Sequence, residues 1–125
     1  MAKSQNDLML DAAFEWVNDL VTRINVCATQ PTTYAEATST NMLAQTDVIT
    51  STEITLANGD TNGRKMTVAS QTGLSVSTSG TADHIALTGS TGSTLLLVTT
   101  CTTQALTTGN TVNIPTFDDE IADAT

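Results

Sequence analysis

Apolar residues recur at helical spacing over the first stretch of the chain and at alternate positions over most of the remainder. From about Gln5 to Thr22 there is no Gly or Pro, and Asn6 or Asp7 is suited to open a helix as its N-cap. On a 3.6-residue wheel, Met9, Ala13, Trp16, Val17, Leu20 and Ile24 form one face. Leu10, Phe14 and Val21 widen it on one side, Leu8 and Ala12 on the other, leaving Asp7, Asp11, Glu15, Asn18 and Asp19 as a narrow polar strip. An apolar arc this wide is more than one sheet face covers. Either the helix also packs on a partner or a second copy, or it plugs its own small barrel or sandwich.

From Arg23 onward the period becomes that of strands, predicted at 24–28, 48–56, 65–69, 74–77, 84–88, 95–102 and 112–114. The spacers include Asn58-Gly59-Asp60-Thr61-Asn62-Gly63, Thr78-Ser79-Gly80-Thr81, Gly89-Ser90-Thr91-Gly92 and Thr108-Gly109-Asn110, all rich in residues that tolerate positive φ. Short strands with short spacers predict hairpins, so the expected fold is mainly β: an N-terminal amphipathic helix followed by a small antiparallel β-sandwich or barrel. The 125 residues are read as a single domain: helix at 5–22, antiparallel β region at 23–117, loosely held acidic tail at 118–125. The segment 30–42, with Pro31, Tyr34 and Glu36 among threonines, reads as an ordered excursion rather than a strand.

Composition narrows the function. Thr and Ser supply most of the polar positions, whereas Lys and Arg number four and the net charge is −9. Strand faces covered by uncharged hydroxyls suit contact with other protein copies. So few cations exclude a phosphate-binding surface, and with it nucleic acid as a partner. The only aromatic rings are Phe14, Trp16, Tyr34 and Phe117, which makes a thin core that oligomerisation would supplement. No cationic stretch leads into an apolar run at the N-terminus, no segment has the length to cross a bilayer, and no Asn stands in an N-x-[ST] context. The expectation is synthesis in a bacterial-type cytosol with no membrane partner.

Candidate chemistry is sparse. His84, the single histidine, stands beside Asp83 with no zinc-ligand spacing and no triad partners. Asp60-Thr61-Asn62-Gly63 resembles the start of a calcium loop but lacks the later acidic ligand, and no glycine cluster leads into a phosphate-cradling helix. Catalytic, cofactor-binding and metal residues are accordingly all read as none, and the chain as not an enzyme. Cys27 and Cys101 are either two small core thiols or a disulfide between neighbouring strands.

Several segments resemble the head decoration (cement) proteins of tailed bacteriophages. They are Leu10-Asp11-Ala12-Ala13, the stretch CATQPTTYAEATST from Cys27 to Thr40, NGDTNGRK from Asn58 to Lys65, TADHIAL from Thr81 to Leu87, and the run from Leu95 to Asp123. Leu97 departs from the aromatic expected in similar sequences. The resemblance implies a non-enzymatic virion structural protein, assembled in the host cytoplasm and placed on the capsid exterior. It further implies a homotrimer that clamps adjacent subunits of the major capsid protein and stabilises the shell. Phe14, Trp16, Val17, Leu20 and Val21 of the helix, with Pro31 and Tyr34 of the excursion, are then the candidate subunit or capsid interface. The alternative from another class is a receptor- or glycan-binding module of a tail or fibre, for which the loops offer almost no aromatic besides Tyr34.

Overall fold

A computed structural model describes residues 5–48 and 50–123. The chain is mainly β, an N-terminal helix followed by antiparallel sheets. It divides into two compact units, one of residues 1–19, 49–70 and 115–125, the other of residues 20–48 and 71–114.

In the first unit, helix α1 (Asp7–Leu20) begins where expected: the side-chain oxygen of Asn6 accepts the Leu8 amide at 2.8 Å, an N-cap bond. Its companion is a sheet in which β4 (Arg64–Val68) lies between β3 (Ile54–Asn58) and β9 (Phe117–Ile121). The register places Ile54, Val68, Phe117, Met66, Asp119 and Arg64 on one face, and Thr67, Asp118, Lys65 and Glu120 on the other. Met66 and Val68 are fully buried, so the first face is the packed one.

Two expectations are corrected in this unit. The stretch 118–121 is not a loose acidic tail but most of β9, hydrogen-bonded to the central strand. The β3–β4 turn holds it as well: the Asp60 amide donates to Glu120 at 3.1 Å, and the Asp123 amide to Asn62 at 3.1 Å. Gly63 in that turn has φ +72°, and a Cβ there would stand 2.0 Å from the Ile121 carbonyl oxygen, so only glycine fits. The strand expected at 48–56 is instead a single helical turn, α2 (Thr50–Glu53), followed by β3; Ile49 lies outside the described residues.

The second unit holds a four-stranded antiparallel sheet ordered β2-β1-β6-β7, formed by β1 (Arg23–Cys27), β2 (Met42–Asp47), β6 (Gly80–Gly89) and β7 (Thr94–Leu106). A separate two-stranded antiparallel sheet pairs β5 (Gln71–Ser75) with β8 (Thr111–Ile114), which lie far apart in the chain. Four of the five β1 residues are buried, so this strand is covered on both faces. One cover is the excursion, which forms a π-helical turn at Glu36–Thr40 and sets Ala37 against Cys27 and Ala86, with Leu95 and Val98 beside them. Strand β2 was not foreseen. A bulge at Val26/Cys27 puts its Leu43 and Ala44 both inside, which breaks the alternation that would have announced it.

Candidate functional site

The helix carries the most distinctive surface. Leu10, Phe14 and Val17 are buried, and Asp11, which the wheel placed in the polar strip, is 7% exposed. Asp11 is held by Arg64 from the packed face of β4: Nε donates to Oδ1 at 2.7 Å and Nη2 to Oδ2 at 3.1 Å, while Nη1 donates to Asn58 at 2.6 Å. The carboxylate keeps the guanidinium pKa above its ordinary value, chiefly through these hydrogen bonds. This fork fixes the helix rotation, turning Leu10 and Phe14 inward and leaving much of the apolar arc outside.

What remains outside is Leu8, Met9 and Trp16, with 74%, 56% and 52% of their surfaces exposed, and the exposed Ala12 and Ala13 between them. These five residues share one side of α1 at helical spacing. Leu20, half-buried, continues the same stripe.

The seven residues read as an interface from the sequence therefore separate. Phe14, Val17, Val21 and Pro31 are buried within the chain; Leu20 and Tyr34 are half-buried; Trp16 is exposed. Leu8 and Met9 belong to the exposed face but were left off the candidate interface, because the wheel gives a continuous arc and no sign of which side the Asp11–Arg64 fork turns inward.

The groups nearest to chemistry are Cys27, Asp83, His84 and Cys101. Cys27 is paired with His84 across the β1–β6 ladder, and His84 Nδ1 lies 2.7 Å from Asp83 Oδ1. The order cysteine, histidine, aspartate is that of a nucleophilic triad, but the thiol is spent elsewhere. Cys27 is wholly buried and donates to the Ala37 carbonyl oxygen at 3.6 Å. Burial, then the nearby Asp83 charge, push its pKa up to about 11, so it stays a protonated, unreactive thiol at neutral pH.

Both cysteines are free. Cys27 lies on β1 and Cys101 on β7, with β6 between them, so their backbones stand about two strand spacings, or ~9.5 Å, apart. A disulfide needs Cα atoms within about 7 Å. Of the two readings of the pair, unbonded thiols is the one that the geometry fits, with Cys27 buried and Cys101 half-buried.

Among the described residues no group of three or more His, Cys, Asp or Glu side chains is placed to hold a metal ion. The carboxylates of β9 are engaged in the sheet: Lys65 Nζ reaches Asp60 at 2.8 Å and Asp118 at 3.3 Å. A hydrogen bond from Thr67, then the Lys65 contact, hold the Asp118 pKa below the usual range. Asp119, on the packed face opposite Met66, is pushed the other way by burial. No described helix is long and apolar enough to cross a membrane. No protein-family model, no curated protein and no solved structure matches this chain.

Proposed function

We propose that this chain is a non-enzymatic structural protein that decorates a larger protein shell, docking through the exposed apolar face of α1. The observation that carries the reading is the Leu8, Met9, Trp16 face on a chain of net charge −9. Three large apolar side chains gathered on one helix side cost solvation free energy when left in water, and full burial of such a side chain contributes about 1.5–3 kcal/mol. An apolar groove on a partner protein supplies that burial. The segments similar to phage head decoration proteins supply the setting, a tailed-bacteriophage capsid whose major capsid protein carries the groove. Copies joined as the trimer that the resemblance implies would be retained better than single ones, because one bound subunit holds the others at high effective concentration.

The test has two parts. Immunogold labelling of intact virions with an antibody to this chain should mark the head densely; label confined to the tail contradicts the proposal. Trp16→Ala should then lower the number of copies retained on the shell about tenfold, while Thr61→Ala, an exposed change in the β3–β4 turn, should leave it unchanged.

A further inference from the structure

We infer that the outer edge of β7 is a self-association surface, on which a second copy of this chain sets its own β7 antiparallel across a two-fold axis. The inference is independent of α1 and of any shell. Strand β7 is 13 residues long and stands at the edge of its sheet, hydrogen-bonded to β6 on one side and to no described strand on the other. Its outer backbone N–H and C=O groups form a template that only another extended backbone, or water, can satisfy.

Strand edges that stay single are normally blunted by charge, by proline, by brevity or by bulges, and β7, though bulged, has none of the first three. The sequence from Ile85 to Phe117, which contains the whole of β7, has no Asp, Glu, His, Lys or Arg. Every residue from Thr94 to Thr99 is half-exposed, including Leu95, Leu96, Leu97 and Val98.

Charge and topology select the occupant. Copies that each carry −9 repel wherever carboxylates face one another, and the β7 edge is where they meet without that cost. A head-to-tail arrangement would need another edge; β3, β5 and β8 are uncharged but run only five, five and four residues, and the opposite edge of this sheet is β2. That edge is closed, since β2 is bridged at Ala44 by Val76, and the Ser77 and Thr78 amides both donate to the Leu43 carbonyl, at 2.8 and 3.3 Å. Edge β9 carries Asp118, Asp119 and Glu120 and repels its own copy. The open, uncharged edge is thus self-complementary, and a two-fold pair consumes it, giving a closed dimer rather than a fibre. The irregularities of β7 opposite Ala82/His84 and Leu87/Thr88 confine regular pairing to short stretches such as Leu97–Thr100. The resemblance noted in the sequence implies trimers; this edge yields dimers.

Sedimentation velocity on the full chain over a concentration series tests the inference. The expected result is a reversible dimer. Placing like charges on the exposed positions Thr100 and Thr102, as the double variant Thr100→Lys/Thr102→Lys or as Thr100→Glu/Thr102→Glu, should weaken it about tenfold or more. Mixing the two variants should restore a one-to-one heterodimer, which shows that each was folded and failed only by repulsion. Amides on the outer side of β7 should exchange with deuterium slowly in the dimer and quickly in either variant alone. A wild-type monomer at all concentrations, a trimer, or a dimer indifferent to both variants overturns the inference.

Discussion

The two units of this chain solve the same packing problem with different chemistry. Residues 1–19, 49–70 and 115–125 carry ten carboxylates against three cations, a net −7; residues 20–48 and 71–114 carry three against one, a net −2. The acidic unit is tied by ion pairs, with Arg64 forked onto Asp11 and Lys65 held between Asp60 and Asp118. In the other unit the Arg23–Asp47 pair is exposed and buried polar groups lean on hydroxyls and amides: the Asn25 side-chain nitrogen donates to Thr88 Oγ1 at 3.0 Å and to the Ala86 carbonyl at 3.3 Å, while its Oδ1 is buried without a partner. Charge can fix an orientation, as it does for α1, but it keeps like-charged copies apart. The charge-poor unit is the one that keeps a long uncharged strand edge, the 13 residues of β7.

The largest expected effects come from emptying either core. Leu87→Ala and Met66→Ala each remove a fully buried side chain and should each cost about 2–5 kcal/mol. Hydrogen exchange should distinguish them, with Leu87→Ala stripping protection first from β1 and β6, and Met66→Ala first from β3, β4 and β9. If both strip the same amides, the two-unit description fails.

Next in size is the orienting ion pair. Asp11→Asn should leave the β1–β6 amides protected while loosening α1, and should raise the solvent exposure of Phe14. Helix amides that exchange as slowly in Asp11→Asn as in the wild type would show that packing alone sets the rotation.

Acid sharpens the contrast further. Glu36 accepts from the Thr32 amide at 2.6 Å and the Thr32 hydroxyl at 2.8 Å, which lowers its pKa from the ordinary 4.5. A lowered acid stabilises the fold above its unfolded pKa and loses that contribution as pH falls through the folded value. The 32–40 segment should therefore loosen as pH falls below the ordinary 4.5, and Glu36→Gln should abolish the pH dependence of its amide resonances. Asp118 acts in the same sense, whereas Asp119, raised by burial, favours the folded state on protonation. The opposite signs partly cancel in the wild type, so Asp118→Asn, which removes the acid-labile contribution, should lose less stability between pH 7 and pH 3 than the wild type, read from chemical denaturation.

The smallest stability effect should be that of Trp16→Ala, within about 0.5 kcal/mol, since half of that side chain is already in water.

The antiparallel β class, the helix and its Asn6 cap, and the Asn58–Gly63 turn were legible because each follows from local sequence: period, cap and glycine. What was not legible depends on partners distant in the chain. Asp118, Asp119 and Glu120 look like a solvated tail until Lys65, some 53 residues away, is placed beside them. The rotation of α1 turns on Arg64, again 53 residues from Asp11. The wheel gave the apolar arc of the helix without its orientation, so the buried Phe14 and Val17 were chosen beside the exposed Trp16, and the exposed Leu8 and Met9 passed over. The uncharged run from Ile85 to Phe117 was readable throughout, but its meaning appears only once β7 is seen to lie at a sheet edge.

The most direct test of the proposed docking surface is co-sedimentation of the purified chain with phage shells lacking it, comparing wild type with Leu8→Lys/Trp16→Lys. These are exposed positions, so the variant should keep the wild-type circular dichroism spectrum and melting behaviour. The account predicts that a folded variant fails to pellet with shells at concentrations that saturate them with wild type. Equal pelleting of both would contradict it and move the contact surface away from α1.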